Sequence, residues 1–125
     1  MTVYRSLNEY RDKAYNYAKS NGFHDEEHSL ATRLMLTVSE LSEVLESDRK
    51  NNWTKEAIHY NEGFSDESYK KWFEENVKDT VEDEIADALI RLFDIAGKYN
   101  IDLDFHVIAK MKYNEMRPYK HGKKY

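Results

Sequence analysis

Two pairs of acidic residues, each pair spaced three positions apart, are the part of this sequence best suited to chemistry. Glu40 and Glu43 lie in SELSEVLE, and Glu84 and Asp87 lie in EDEIADALIRLFDIAG. Residues three apart in a helix lie over one turn, so each pair can present two carboxylates to one point. Four carboxylates in one space repel unless protons or cations neutralise them, and hard divalent ions prefer such oxygen ligands. The pairs predict a metal site, although this spacing alone is also common on solvated helices.

Four main helices are expected to position these residues. Apolar residues recur at intervals of three and four in each of them, and the sequence holds only four Gly and one Pro. Asn21-Gly22 ends the first helix and Pro118 stops the last. This pattern predicts an all-α fold with helices at about residues 3–20, 29–47, 77–98 and 102–117.

The second predicted helix is apolar on more than one side. Leu34, Val38, Leu41 and Leu45 line one face. Glu43 projects opposite this stripe, and Leu36 lies between Glu43 and Glu40 in projection. A helix of this kind normally packs on more than one side, which favours protein surroundings for the glutamates and an oligomeric chain.

The third predicted helix carries two further local signals. Thr80 can cap its start, with Asp83 completing an acidic version of the capping box. Arg91 lies one turn beyond Asp87 and is suited either to a structural salt bridge or to substrate contact.

Length and composition predict one domain over residues 1–125. A polar segment rich in aromatic residues, at about 49–76, interrupts the helices as an insertion with one or two short helices. The net charge of −5 argues against binding of nucleic-acid polymers. The absence of Cys, of a signal-peptide pattern and of a membrane-spanning run predicts a soluble, cytoplasmic protein without membrane partners.

The order of SELSEVLE, EIADALIRLFDIAGKYNID and KMKYNEMRPYKHGKKY resembles the MazG-like nucleotide pyrophosphohydrolases of the all-α NTP pyrophosphatase superfamily. That family has Glu-x-x-Glu on one helix, Glu-x-x-Asp on a later helix and Lys-x-x-x-Asn on the last. The matching residues here are Glu40, Glu43, Glu84, Asp87, Lys110 and Asn114. The resemblance includes NGFHDEE and omits about 49–76, which leaves 40 residues between Glu43 and Glu84, more than the family usually has.

The resemblance implies a four-to-five-helix MazG-like bundle, completed by dimerisation as a homodimer or homotetramer. It implies hydrolysis of (deoxy)nucleoside triphosphates to nucleoside monophosphate and pyrophosphate, with Mg²⁺ or substituting Mn²⁺ held by the four acidic residues. Water attacks the α-phosphorus, and a carboxylate not fully committed to metal orients or deprotonates it. Glu43 is favoured for this role over Glu40 because it projects farthest from the apolar stripe.

Several other residues are candidate substrate contacts. Lys110, Asn114 and Arg117 stack along one helix edge and suit phosphate binding, and the basic tail after them is expected to fold over the triphosphate. His24 and Trp53 are candidates for contact with the base or sugar. Each residue also has an ordinary alternative, as a solvated side chain or a structural pair.

Two other functions fit the composition. A carboxylate-bridged di-iron or di-manganese bundle needs two Glu-x-x-His motifs, and the sequence offers one candidate, Glu56 with His59. A non-catalytic helical interaction module with an acidic groove is the other alternative.

Overall fold

The computed structural model describes residues 3–55 and 63–125, and these contain five α-helices and no β-strand. The helices are α1 (Leu7–Ser20), α2 (Leu30–Arg49), α3 (Asp66–Asn76), α4 (Val81–Lys98) and α5 (Leu103–Glu115), followed by a short 3₁₀ turn at Tyr119–Gly122. This confirms the all-α prediction. Glu56 and His59, the di-metal candidates, lie outside the described residues.

Each helix begins where a short polar side chain caps its first N–H groups. The capping residues are Ser6, Ser29, Ser65, Thr80 and Asp102. Because Ser6 caps α1, that helix begins later than predicted. Gly22 follows α1 with a φ of 84°, in agreement with the end predicted at Asn21-Gly22.

The predicted capping box at the start of α4 is formed only in part. Thr80 Oγ1 accepts a hydrogen bond from the Asp83 N–H at 3.3 Å, as predicted. The Asp83 carboxylate, however, accepts from the N–H of Asp79 at 3.0 Å instead of from that of Thr80. The reciprocal bond therefore closes one residue upstream, because the chain turns back on itself at Asp79.

Helix α4 is the centre of the fold. It packs against both α1 and α2, while α5 contacts α1. Its buried apolar residues are Val81, Ala88, Ile95 and Ala96. A Cβ added at Gly97 would lie 2.4 Å from Tyr15 Cβ, so the missing side chain lets α1 approach α4 closely. The packing of α4 on α2 brings the two predicted acidic pairs to one interface.

Hydrogen bonds also tie the end of α2 to the start of α4. The Val81 N–H donates to the Asn52 carbonyl at 2.9 Å, and Ser47 Oγ donates to the Asp79 carbonyl at 3.0 Å. Asn52 Nδ2 donates to the same Asp79 carbonyl at 2.7 Å. These bonds fix the loop before α4 against α2, so the acidic residues of that loop hold a defined position.

A single chain leaves much of its apolar surface exposed. On α2 the exposed apolar residues are Leu34, Met35, Leu36, Val38, Leu41 and Leu45, and on α5 they include Phe105, Ile108, Met111 and Met116. The accessible surface is 10035 Å², about 3,000 Å² above the roughly 7,000 Å² expected for a compact monomer of this mass. Among the described helices, none has the length and apolarity that crossing a bilayer requires.

Candidate metal centre and adjoining cavity

Three of the four predicted carboxylates converge where α2 meets α4. One oxygen each from Glu40, Glu84 and Asp87 lies within 4.8 Å of the other two. We call these three residues the acidic cluster. Glu43 is exposed and lies outside the cluster, although its charge is among the smaller contributions that, after burial, raise the pKa of Glu84. The structure thus brings three of the four predicted carboxylates together and leaves Glu43 outside the cluster.

The acidic cluster carries more negative charge than the protein compensates. Glu84 is only 8% exposed, and burial, followed by the charges of Asp87 and Asp83, raises the pKa of its carboxyl. Burial and the charges of Asp83 and Glu40 also raise the pKa of Asp87, against a smaller opposing effect of Arg91. Over residues 3–55 and 63–125, neither Glu84 nor Asp87 forms an ion pair with Lys, Arg or His. Such a site stabilises a bound cation.

Arg91 compensates one member of the acidic cluster directly. Its Nε donates to Glu40 Oε1 at 2.9 Å, so the pair links α4 to α2 across the interface. The sequence left a salt bridge and a substrate contact open for this residue. The salt bridge is present, and the guanidinium also lines the adjoining cavity, where its other N–H groups can meet a ligand.

Two acidic residues that the sequence did not predict as metal ligands extend the centre. Asp79 and Asp83 form a second group with Glu84, again with one oxygen from each residue within 4.8 Å of the others. Asp79 has a φ of 65°, and this left-handed turn carries the loop back over the start of α4. Both residues belong to an acidic run that is visible in the sequence, but their spacing does not reveal the turn.

The carboxylates fit a hard divalent ion. Mg²⁺ takes oxygen ligands at about 2.0–2.1 Å, so ligands on opposite sides of the ion lie about 4 Å apart. At most one pair of the three oxygens can be opposite, and adjacent ligands lie about 3 Å apart, so oxygens within 4.8 Å of one another must approach by up to about 2 Å to bind one ion. Glu84 belongs to both groups, so the donor set suits one ion or two neighbouring ions.

A cavity of about 320 Å³ adjoins the acidic cluster. Glu40 and Asp87 form part of its wall, together with Tyr17, Phe23 and Arg33. The cavity therefore combines aromatic surface, a cation and the exposed side of a metal-binding group. A ligand with a flat ring at one end and an anionic group at the other matches this arrangement.

His24 lies behind the wall of this cavity. Its Nε2 is 2.7 Å from Asp94 Oδ1, its side chain is 8% exposed, and its ring packs edge-on against Tyr15 at a centroid distance of 5.0 Å. Asp94 itself lines the cavity. His24 is thus packed against Asp94 and Tyr15 rather than solvated, and it is not among the residues that line the cavity. Its contact with a base or sugar stays a prediction.

A second cavity, of about 520 Å³, also borders Asp87. Lys70 and Lys78 line it together with Asp79 and Asp83, and the rings of Tyr69 and Phe73 complete its wall. These rings come from α3, which lies in the segment predicted as an insertion. The insertion thus supplies aromatic and cationic groups next to the acidic cluster, a contribution that the sequence did not predict.

The predicted phosphate-binding edge on α5 forms but lines neither cavity. Lys110 Nζ lies 5.0 Å from the centroid of the Tyr113 ring, and the Arg117 guanidinium lies 5.8 Å from it, so the two cations share one edge as expected. Asn114 Oδ1 is buried and has no hydrogen-bond partner among the described residues. The tail beyond is exposed, as the Tyr119 and Tyr125 side chains show. Contact of Lys110, Asn114, Arg117 and the basic tail with phosphate stays a prediction.

Trp53 is also outside both cavities. Its side chain is about half exposed, and its Nε1 donates to Asp48 Oδ1 at 3.2 Å. This bond holds the ring against the end of α2, and stacking on a nucleobase stays a prediction for this residue.

Comparison with known proteins returned no relative. No protein-family model matches the chain, and neither a curated protein nor a solved structure does.

Proposed function

We propose that this protein is a metal-dependent nucleoside triphosphate pyrophosphohydrolase, which forms nucleoside monophosphate and pyrophosphate. The observation that best supports this proposal is the convergence of Glu40, Glu84 and Asp87 from two helices, beside a cavity with aromatic and cationic groups. The uncompensated charge and the raised pKa values of Glu84 and Asp87 are those of a cation site.

The acidic cluster is proposed to hold Mg²⁺, with Mn²⁺ as a substitute. When bound, the ion neutralises charge on phosphate oxygens and acidifies water. Glu84 suits the ligand role best because it is the most buried of the three and belongs to both groups of acidic residues.

The remaining side chains of the site suit the handling of water and phosphate. Glu43 lies outside the acidic cluster, so its carboxylate is available to orient or deprotonate water that attacks the α-phosphorus. Glu40 is the second candidate for this role, although its Oε1 already accepts from Arg91. Arg91 keeps further N–H groups that can donate to a phosphate oxygen at the cavity wall.

A homodimer or homotetramer is part of the proposal. The excess accessible surface of about 3,000 Å² per chain corresponds to about 6,000 Å² for two copies, which is the size of the largest obligate homodimer interfaces or of more than one interface. Lys110, Asn114 and Arg117 line neither of the two cavities of their own chain, so a second copy is the proposed route by which they reach a phosphate. Sedimentation that shows only a 14.9 kDa monomer at micromolar concentration contradicts this part.

The central test is product identity. Incubation of the protein with Mg²⁺ and a panel of ribo- and deoxynucleoside triphosphates should release pyrophosphate. In ¹⁸O-labelled water the label should enter the monophosphate, because attack at the α-phosphorus places the new oxygen there. Orthophosphate as the first product, or label in the pyrophosphate, contradicts the proposal.

A non-catalytic interaction module is the second candidate, since the exposed apolar residues of α2 and α5 suit a protein partner as well as a second copy. Inactivity with standard, deoxy and damaged nucleotides, while the chain stays folded, supports that candidate. For the di-metal alternative, the absorbance spectrum of iron-loaded protein gives a direct test.

A further inference from the structure

Arg33, near the start of α2, is a buried cation with two nitrogens that have no partner in the described part of the chain. The residue is 7% exposed, and its Nε and Nη2 atoms are both buried with no hydrogen-bond partner among the described residues. A buried charged donor is costly to leave unsatisfied. Arg11 shows the usual solution, because its guanidinium donates to the Ile101 carbonyl at 2.8 Å and pairs with Asp12. The open donors of Arg33 therefore need a ligand.

The open atoms of Arg33 form one functional unit. Nε and Nη2 lie on the same edge of the planar guanidinium and direct their N–H groups side by side. Such an edge binds two neighbouring acceptor atoms at once, as in arginine pairs with carboxylate, phosphate or a base edge. Arg33 is among the residues that line the 320 Å³ cavity, so the cavity is the side from which a ligand would reach this buried edge.

The position of Arg33 favours a base over a phosphate. It precedes Glu40 by seven residues, so the two lie about 10 Å apart along the axis of α2. If the acidic cluster holds the α-phosphate through its metal, Arg33 lies at the nucleoside end of the substrate. Tyr17 and Phe23 line the same cavity and offer ring faces on which a base can stack.

We propose that Arg33 reads the base and that this cavity selects bases with two adjacent acceptors. This inference rests on the proposed function. Guanine offers such a pair at O6 and N7, and cytosine offers one at O2 and N3. Adenine places a donor beside N7, and thymine and uracil have a donor at N3, so each leaves one arginine N–H unsatisfied. A site built to make a hydrogen bond discriminates strongly against a ligand that lacks the group.

The first test compares hydrolysis of the four deoxynucleoside triphosphates. We expect kcat/KM for dGTP and dCTP to exceed that for dATP and dTTP by about 10-fold or more. The Arg33→Met variant keeps the length of the chain but removes the donors. It should reduce the difference to within about 3-fold by lowering mainly the dGTP and dCTP values. Arg49→Met, at the exposed end of α2, is the matched control and should keep the wild-type preference.

Arg33→Lys separates base reading from simple charge. It keeps the positive charge but loses the two-pronged edge, so it should also lose the preference. A wild-type enzyme with equal kcat/KM for all four nucleotides overturns the inference. So does an equal loss for all four in Arg33→Met, which indicates a phosphate contact or a structural role. If circular dichroism shows that Arg33→Met does not fold, the base preferences of the wild type and of Arg33→Lys decide whether the inference stands.

The second test does not depend on hydrolysis. Calorimetry without metal should show that wild-type protein binds dGMP and dCMP more tightly than dAMP and dTMP, and that Arg33→Lys removes this difference. If no triphosphate is hydrolysed but this preference is present, the base-reading inference stands and the pyrophosphohydrolase proposal fails. Equal binding of all four monophosphates overturns the inference even if hydrolysis is observed.

Discussion

The α2–α4 interface and helix α5 hold their charged residues in opposite ways. At the interface, Glu40, Glu84 and Asp87 crowd together, and Glu84 is almost fully buried. On α5 and just beyond its end, Lys110 and Arg117 lie over an exposed tyrosine ring, next to apolar residues that a single chain leaves in water. At the α2–α4 interface, the negative charge of the carboxylates is only partly compensated within the chain. Around α5, apolar side chains stay exposed to solvent. We infer that an ion completes the first and a second copy completes the second.

Two carboxylates on α4 show on a smaller scale what makes the interface unusual. Hydrogen bonds from the Thr54 side chain and backbone lower the pKa of Glu82, which is exposed. Two residues on, burial and neighbouring carboxylates raise the pKa of Glu84. Within one helical turn, the anionic form of glutamate is thus stabilised at Glu82 and destabilised at Glu84. This difference makes Glu82 a control for Glu84.

The largest effect is expected for Glu84→Gln. It should lower the rate of pyrophosphate release by about 100- to 1,000-fold, because it removes the most buried metal ligand. Glu82→Gln should stay near wild type. Comparable losses in both variants contradict a special role for Glu84. The measurement is kcat at saturating Mg²⁺, with Mn²⁺ as a second metal.

A charge placed on the exposed apolar face of α2 should weaken the proposed oligomer. Leu41→Glu should raise the dissociation constant of the oligomer by at least about 100-fold, since it buries an unpaired charge in the interface. In a chain that is monomeric by nature, the same change at a half-exposed position should be nearly neutral. Lys13→Glu on the exposed side of α1 provides the control, and sedimentation velocity gives the result.

Mixing two inactive variants tests whether the acidic cluster of one copy and Lys110 of another copy form one active site. Glu84→Gln and Lys110→Gln should each be nearly inactive. Random exchange of subunits should then restore about a quarter of the wild-type activity, because half of the dimers carry one intact site. If Lys110 serves the acidic cluster of its own chain, mixing restores nothing. As the control, each variant goes through the same exchange procedure alone, which should restore no activity.

The packing beneath the interface can be disturbed without a change in charge. Gly97→Ala should lower the free energy of unfolding by about 1–3 kcal/mol, because its Cβ would lie 2.4 Å from Tyr15 Cβ. Urea titration measures this change. Ala86→Gly, at an exposed site of the same helix, should cost only about 0.5–1 kcal/mol through helix propensity. Equal costs contradict close packing at Gly97.

The smallest expected effect is a pH-dependent gain in stability. A raised carboxyl pKa in the folded state contributes stability that is complete below the unfolded-state pKa and is lost as pH rises through the folded value. Burial raises the pKa of Glu84, so Glu84→Gln should raise the melting temperature of the metal-free protein by about 3 °C at about pH 8 and less at about pH 5. Mg²⁺ should stabilise the wild type more at the higher pH. A variant less stable than wild type at both pH values contradicts this account.

Local features of the structure could be predicted from the sequence because they depend on residues that are close together in the chain. Thr80 caps α4 through an N–H three residues away, and Gly22 follows α1 in the left-handed conformation that an Asn-Gly pair predicts. The helix faces that carry the acidic pairs could be predicted for a related reason. A period of three to four residues places these side chains on defined faces of two helices. The convergence of Glu40 with Glu84 and Asp87 agrees with that expectation.

Residues whose role depends on distant packing were not predicted. Arg33 lies in an apolar stretch of the sequence, and only the approach of α1 and α4 to α2 buries its guanidinium beside a cavity. His24 and Asp94 are 70 residues apart and meet through the same packing. Asp79 joins Glu84 because of a left-handed turn that its residue type permits but does not require.

The amino-acid sequence alone therefore determined where most of the helices form and on which helix face each carboxylate lies, because helical periodicity and capping act within a few residues. Tertiary structure decided how much each charge is buried, which cations remain unpaired and which apolar faces stay exposed. These properties depend on the proximity of segments far apart in the chain, since burial and electrostatic energy are set by everything within a few ångströms of an atom.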